Sequence, residues 1–141
     1  METMRRQHGT AQDVAASLMA AVASYRDRYD AVPIARLVGK LNALLRVHLA
    51  YEDLVLYPML MRSRDPQVAG LAHWFHDEMG ALAPQFEEFA RRWSGPTVID
   101  MMFDRFRDEA TEILAALGAR IERENNQLYP LADRVNLPRA A

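Results

Sequence analysis

Apolar residues recur at three- and four-residue spacing along most of the chain, with charged residues between them. That spacing is typical of amphipathic helices that bury one face. Three sites have the sequence of a helix start, namely Pro33 in a first turn, Asp65 before Pro66, and Gly95 before Pro96. The pattern therefore predicts four helical segments, at about 4–30, 33–62, 66–93 and 96–135.

Four amphipathic segments with short connections predict an all-α fold, an antiparallel up-down four-helix bundle. Runs of β-branched residues with period-two alternation are missing, so we expect no strands. A chain of 141 residues is one ordinary domain, and we expect that domain to span 1–141. Pro58, Pro84 and Pro130 each remove a backbone donor inside a predicted helix and should kink or loosen it there.

The predicted inward faces contain histidines. His8, His48 and His76, three of the four histidines, lie on stripes that are otherwise apolar. In the third segment the expected stripe runs through Ala69, Ala72, His76 and Met79. His73 lies off this stripe and is expected at the surface. Because polar groups in a bundle core cost free energy unless they are paired or bind something, the three histidines are candidate metal ligands. The alternative is that they are hydrogen-bonded core histidines.

Two stretches of the chain repeat one frame. His48 to Pro58 reads "HLAYEDLVLYP", and Arg120 to Pro130 reads "RIERENNQLYP". Each copy has a glutamate one helical turn after its first residue, Glu52 in one and Glu124 in the other, and each ends in Tyr-Pro. The spacing predicts that both carboxylates face the bundle interior. Tyr57 and Tyr129 could approach a metal centre, but packing in the core is the preferred prediction for both.

The amino-acid composition excludes several kinds of metal site and several classes of binding partner. The chain has no cysteine, so thiolate metal sites, iron–sulfur clusters and cysteine nucleophiles are excluded, and any metal must be held by nitrogen and oxygen. The formal net charge is −2 and no basic run is present, so neither nucleic acid nor a membrane is expected as a partner. No signal-peptide pattern or membrane-spanning apolar run appears, and we expect a cytoplasmic protein.

The two repeated stretches resemble the H-x-x-x-E-x-x-x-[LYF]-[YF]-P motifs of hemerythrin-like (HHE cation-binding) domains, and the resemblance covers nearly the whole chain. It implies a non-haem di-iron centre between four helices, and a protein that handles or senses oxygen, nitric oxide, peroxide or redox state. Carried over by position, the implied metal ligands are His8, His48, Glu52, His76 and Glu124.

Arg120 departs from the family pattern, because it stands where the second motif has histidine. A guanidinium has no acceptor lone pair and cannot ligate a metal. In one hypothesis a di-iron site survives with five protein ligands and an open position. In another, Arg120 replaces a cation by pairing with Glu124 or Glu52, and the domain is a mono-metal or metal-free regulatory module that binds a protein partner. In the third, the histidines are incidental.

Of these, iron binding is the preferred interpretation, with an iron centre that Arg120 leaves incomplete. A small diatomic molecule or peroxide is then the expected partner. Turnover catalysis is less expected than binding or sensing, since no general acid–base pair appears apart from the candidate ligands.

Overall fold

The computed structural model describes residues 1–135, which fold almost entirely into helix with no strand in that range. The helices are α1 (Glu2–Ala23), α2 (Ala31–Tyr51), α3 (Tyr57–Met61), α4 (Pro66–Met79), α5 (Leu82–Arg92), α6 (Pro96–Met101), α7 (Phe103–Arg123) and α8 (Tyr129–Arg134). They form the four helices of the predicted bundle, which are α1, α2 with α3, α4 with α5, and α6 with α7 and α8. The all-α bundle is confirmed; the predicted domain also takes in 136–141, which lie outside the described residues.

The starts of the later helices agree with the sequence. Asp65 caps α4 by accepting a hydrogen bond at Oδ1 from the Gln67 N–H (2.9 Å), and Pro66 occupies the first turn. Gly95 precedes Pro96 at the start of α6. The first turn of a helix has backbone N–H groups without intrahelical partners. Asp65 accepts a hydrogen bond from one of them, and the two prolines have no N–H, so these residues fix the helix starts locally.

The first helix ends earlier than predicted. The segment expected to reach residue 30 stops at Ala23, and a short 3₁₀-helix, Arg28–Asp30, follows. The Asp27 carboxylate accepts from the Tyr29 N–H (3.0 Å), and the Asp30 carboxylate accepts from the N–H groups of Asp27 (3.4 Å) and Arg26 (2.8 Å). These two carboxylates form a capping box that starts a new helix where the apolar pattern alone predicted continuation.

The third bundle helix is interrupted at Gly80 and Ala81, between α4 and α5. Pro84 lies in the first turn of α5, so in an unbroken helix its ring would press on the carbonyl of residue 80. The predicted effect of Pro84 therefore takes the form of a break one turn before the proline. The break leaves the carbonyl of Met79, the last residue of α4, without the intrahelical partner that an unbroken helix would supply.

The inward stripe of α4 differs from the predicted one. The helix buries Val68, Ala72 and Phe75, whereas His76 is exposed over 45% of its side chain. Burying the Phe75 ring stabilises the bundle, while burying an unpaired imidazole would cost free energy, so the helix turns Phe75 inward and His76 outward. His73 is exposed, as predicted.

Two π-helical turns interrupt the second and fourth bundle helices. They span Glu52–Leu56 and Glu124–Leu128, and each ends just before a Tyr-Pro pair. In each, the tyrosine N–H bonds to the carbonyl of the glutamate five residues earlier. Residues five apart on an α-helix lie about 140° apart around the axis. The π turns reduce that angle and place glutamate and tyrosine on the same inward face.

Sequential helices pack as neighbours, α1 against α2, α2 against α5, α5 against α7 and α7 against α1, which closes the bundle. The apolar core has two parts. One surrounds Leu18, Leu41 and Phe106, and the other surrounds Leu60, Phe75 and Leu128. Between them lies a layer of buried polar side chains. No helix within residues 1–135 has both the length and the apolarity to cross a membrane.

Candidate metal centre

The polar layer consists of five buried residues contributed by three of the four bundle helices, His8, His48, Glu52, Arg120 and Glu124. Both glutamates are 0% exposed and Arg120 is 1% exposed. His8, His48, Glu52 and Glu124 each offer one ligand atom, and these atoms lie within 4.8 Å of one another. Two imidazole nitrogens and two carboxylate oxygens at that separation are a donor set that suits one borderline divalent metal ion.

The two imidazoles are held by side-chain amides. His8 Nδ1 lies 2.8 Å from Asn125 Oδ1, and His48 Nδ1 lies 2.7 Å from Gln7 Oε1. A carbonyl oxygen only accepts hydrogen bonds, so each Nδ1 carries the proton and donates it. In a neutral imidazole the other nitrogen, Nε2, then has a free lone pair. This arrangement is the usual support for a metal-binding histidine.

Each Nε2 faces a buried carboxylate. His48 Nε2 lies 2.9 Å from Glu52 Oε1, and His8 Nε2 lies 3.2 Å from Glu124 Oε1. The ring centroids of the two histidines are 4.6 Å apart. A lone pair facing a carboxylate oxygen is favourable only with a cation or a proton between them.

Two tyrosines cross between the motif copies. Tyr57 donates to Glu124 Oε2 and Tyr129 donates to Glu52 Oε2, both at 2.6 Å. Tyr129 Oη is also 3.0 Å from His8 Nε2. Each tyrosine therefore fixes the carboxylate of the other copy and leaves that carboxylate's second oxygen directed at a histidine. Burial followed by the neighbouring carboxylates raises the pKa of both tyrosines, which keeps them protonated as donors.

Arg120 lies against both glutamates. Its Nε donates to Glu124 Oε2 (3.2 Å), its Nη2 approaches Glu52 Oε1 (3.5 Å), and the same Nη2 donates to Asp53 Oδ1 (2.9 Å). Its Nη1 donates to the free carbonyl of Met79 (3.3 Å), and its Cζ lies 5.5 Å from the centre of the Tyr57 ring. Arg120 has the same position relative to Glu124 as His48 has relative to Glu52, and its guanidinium fills that side of the site.

The charges of the cluster do not balance. With their carboxylates ionised, Glu52, Glu124 and Asp53 outweigh the one positive charge of Arg120 by two. Burial lowers the pKa of His48 to about 4, so its imidazole is neutral near pH 7 and supplies no compensating charge. A bound divalent cation would neutralise the cluster.

The pKa values of the two glutamates show the same shortage of positive charge. Burial, and after it the Glu124 carboxylate, raises the pKa of Glu52 well above its ordinary range. Burial alone would also raise the pKa of Glu124, but the charge of Arg120 and the hydrogen bond from Tyr57 lower it to about 2. Arg120 therefore stabilises one ionised carboxylate and leaves the other without enough positive charge beside it.

Within residues 1–135, two buried side-chain atoms have no hydrogen-bond partner, His48 Nε2 and Glu124 Oε1. Both belong to the four-residue ligand set and both point into the space that its ligand atoms share. Leaving a buried polar atom unsatisfied costs about 1–3 kcal/mol, so such atoms in a native core need a reason. A metal ion bound by these four residues would be such a reason, because it would satisfy both atoms at once. The residues present therefore fit one metal ion.

A family model, the hemerythrin HHE cation-binding domain, matches residues 1–132. The chain belongs to the hemerythrin HHE cation-binding domain family. No curated protein and no solved structure matches it. Membership of a cation-binding family and the buried histidine–glutamate cluster agree with each other, since both indicate a cation site in the bundle interior.

In this hemerythrin-like domain the structure brings together four of the five predicted ligands. His8 lies within α1 and is buried, as its predicted inward stripe requires. His76 does not join the cluster. Its ring lies 6.4 Å from the Tyr57 ring, and its Nδ1 is 3.7 Å from the adjacent Asp77.

Sequence reasoning missed the residues that support the hemerythrin-like site. Gln7 and Asn125 each adjoin a predicted ligand in the sequence, and that adjacency was the available signal. Asp53 follows Glu52 directly, and an acidic residue beside a motif glutamate could have been matched to the unusual Arg120. Tyr57 and Tyr129, for which core packing was the preferred prediction, also donate to the two glutamates, because the π turns bring each tyrosine onto the inward face.

Proposed function

We propose that this hemerythrin-like domain binds one divalent iron ion through His8, His48, Glu52 and Glu124, and that it binds or senses a small ligand. The observation that carries the proposal is the pair of unpartnered ligand atoms, His48 Nε2 and Glu124 Oε1, which converge with the other two donors inside the bundle. Imidazole and carboxylate donors suit iron, and they also accept zinc or manganese.

One ion per chain is proposed because Arg120 fills the remaining side of the cluster. Its guanidinium touches both glutamates, so a second cation there would meet a fixed positive charge. His76, the remaining ligand that the family resemblance implied, is turned toward solvent. The proposed site therefore differs from a di-iron centre in both the number of ions and the ligand set.

The chain's own residues prepare the site in three ways. Asn125 and Gln7 hold the imidazole tautomers, Tyr57 and Tyr129 orient the carboxylates, and the two apolar core clusters keep bulk water out. Bound iron would supply an open coordination position for oxygen, nitric oxide or peroxide. A role in the cytoplasm remains part of the proposal, as does binding or sensing in preference to turnover.

A second candidate function is a metal-free regulatory module that binds a protein partner. It is favoured by one observation, the contact of Arg120 with Glu52, Asp53 and Glu124, which supplies part of the charge that a metal would otherwise supply. The two candidates differ in metal content, so one titration separates them.

The test is an anaerobic titration of metal-free protein with Fe(II), followed by removal of loosely bound metal and measurement of iron per chain. We expect one iron per chain in the wild type and a large loss in His48→Ala, which removes a donor. His76→Ala is the matched control, since its imidazole lies outside the cluster, and it should keep one iron. Two irons per chain, or an equal loss in His76→Ala, would contradict the four-ligand site. A folded protein that binds none would favour the metal-free module.

A further inference from the structure

The contacts of Arg120 define a fixed charge beside the proposed ion. Arg120 is 1% exposed, and its guanidinium donates to Glu124 and Asp53 and approaches Glu52. Glu52 and Glu124 are two of the four proposed metal ligands, so the guanidinium shares carboxylates with the ion. Charges that close together in a poorly hydrated interior interact strongly.

Two groups outside the ligand set keep Arg120 in this position. Asp53 makes the shortest of its contacts with carboxylates, 2.9 Å from Nη2. The Met79 carbonyl accepts from Nη1 at 3.3 Å, and it is free to do so because the third bundle helix breaks at Gly80. The carbonyl end of a helix also carries partial negative charge, which favours a cation there. Arg120 is therefore anchored by groups on the second, third and fourth bundle helices.

Asp53 differs from the two glutamates in its setting. Its side chain is 21% exposed, and it contacts Arg120 without belonging to the four-residue ligand set. It therefore acts on the site through its charge and through Arg120, and it is a positioning residue. Arg120 and Asp53 place opposite charges next to the same proposed ion.

We propose that Arg120 and Asp53 determine which charge state of the bound ion the site prefers. This inference rests on the proposed single-ion site. Arg120 disfavours the trivalent state of the bound metal and so keeps it divalent, and Asp53 partly offsets that effect. The charge count carries this inference. A divalent ion neutralises the cluster of three carboxylates and one guanidinium, whereas a trivalent ion would leave a buried excess of positive charge.

The experiment is a potentiometric titration of the Fe(III)/Fe(II) couple in the iron-loaded full chain, with Fe(III) followed by electron paramagnetic resonance. Arg120→Met removes the positive charge and should raise the Fe(III)/Fe(II) ratio at a fixed potential at least tenfold, which is a fall of about 59 mV for one electron. Asp53→Asn removes a negative charge and should shift the potential upward. Arg120→Lys keeps the charge and should stay near the wild type.

The matched control is Arg123→Met, which removes an exposed arginine one turn along the same helix and should leave the potential unchanged. Shifts of opposite sign in Arg120→Met and Asp53→Asn would support the inference, because general loosening of the site would move both variants the same way. If Arg120→Met does not fold, Asp53→Asn decides alone, and no shift or a downward shift in it overturns the inference.

The outcomes also separate this inference from the proposed function. A wild type that loads one iron, with variants whose potentials do not move apart, overturns the charge preference and leaves the single-ion site standing. A wild type that loads no iron overturns both.

Discussion

Each imidazole at the centre of the bundle is oriented by an amide side chain from a different bundle helix. Asn125, in the fourth bundle helix, holds His8 of α1, and Gln7, in α1, holds His48 of α2. Since the amide oxygens fix the proton on Nδ1, they decide which nitrogen is available to a metal. At this scale the affinity of the proposed site would depend on residues that never touch the ion.

Replacing Asn125 tests this dependence. Asn125→Ala should weaken metal binding by about 10- to 100-fold, the usual effect of losing an outer-shell partner of a ligating histidine. Asn126→Ala, an exposed neighbour in the same π turn, is the control and should bind as the wild type does. Competition with a chromophoric chelator measures both affinities. Equal affinities in the two variants would show that the amide has no role in preparing His8.

At the scale of the helices, the site depends on departures from regular α-helix. The π turns at Glu52–Leu56 and Glu124–Leu128 turn Tyr57 and Tyr129 toward the opposite glutamates. The break at Gly80 frees the Met79 carbonyl for Arg120. Each departure lies near a proline, which removes a backbone donor and disfavours an unbroken helix.

These departures also explain how far the sequence could predict the molecule. Regular periodicity and the helix caps predicted the bundle, the later helix starts, and the inward positions of His8, His48, Glu52 and Glu124. The same periodicity failed at the π turns, where the helix changes its pitch, and in α4, where either of two neighbouring faces could be buried. It did not predict the contact of Tyr57 with Glu124, and it favoured His76 over Phe75, although the larger gain from burying the phenylalanine ring decides how α4 is rotated.

Gly80 offers a test of the helix break. A Cβ added there would lie 2.5 Å from the His76 carbonyl oxygen, so Gly80→Ala must displace the last turn of α4. We expect it to lower the free energy of unfolding by about 1–3 kcal/mol, as overpacking does. Gly70→Ala, inside the same helix with nothing within 4 Å of the added Cβ, should instead stabilise the protein by about 0.5–1 kcal/mol. Urea unfolding measures both, and a neutral Gly80→Ala would mean that the break tolerates a side chain.

At the scale of the whole molecule, the bundle consists of two apolar core clusters separated by one polar layer. The layer contains every buried charged side chain of the described residues, and its carboxylates outnumber its fixed cation. Such a layer costs free energy unless a cation completes it. Arg120 completes one side and, in our account, one divalent ion completes the other.

The most direct test of this account is a crystal structure of the iron-loaded protein with anomalous diffraction measured at the iron edge. We predict one anomalous peak per chain, bonded to His8, His48, Glu52 and Glu124, with Arg120 still in contact with both glutamates. Two peaks between the helices, a peak bonded to His76, or no peak in a folded, iron-treated protein would contradict it.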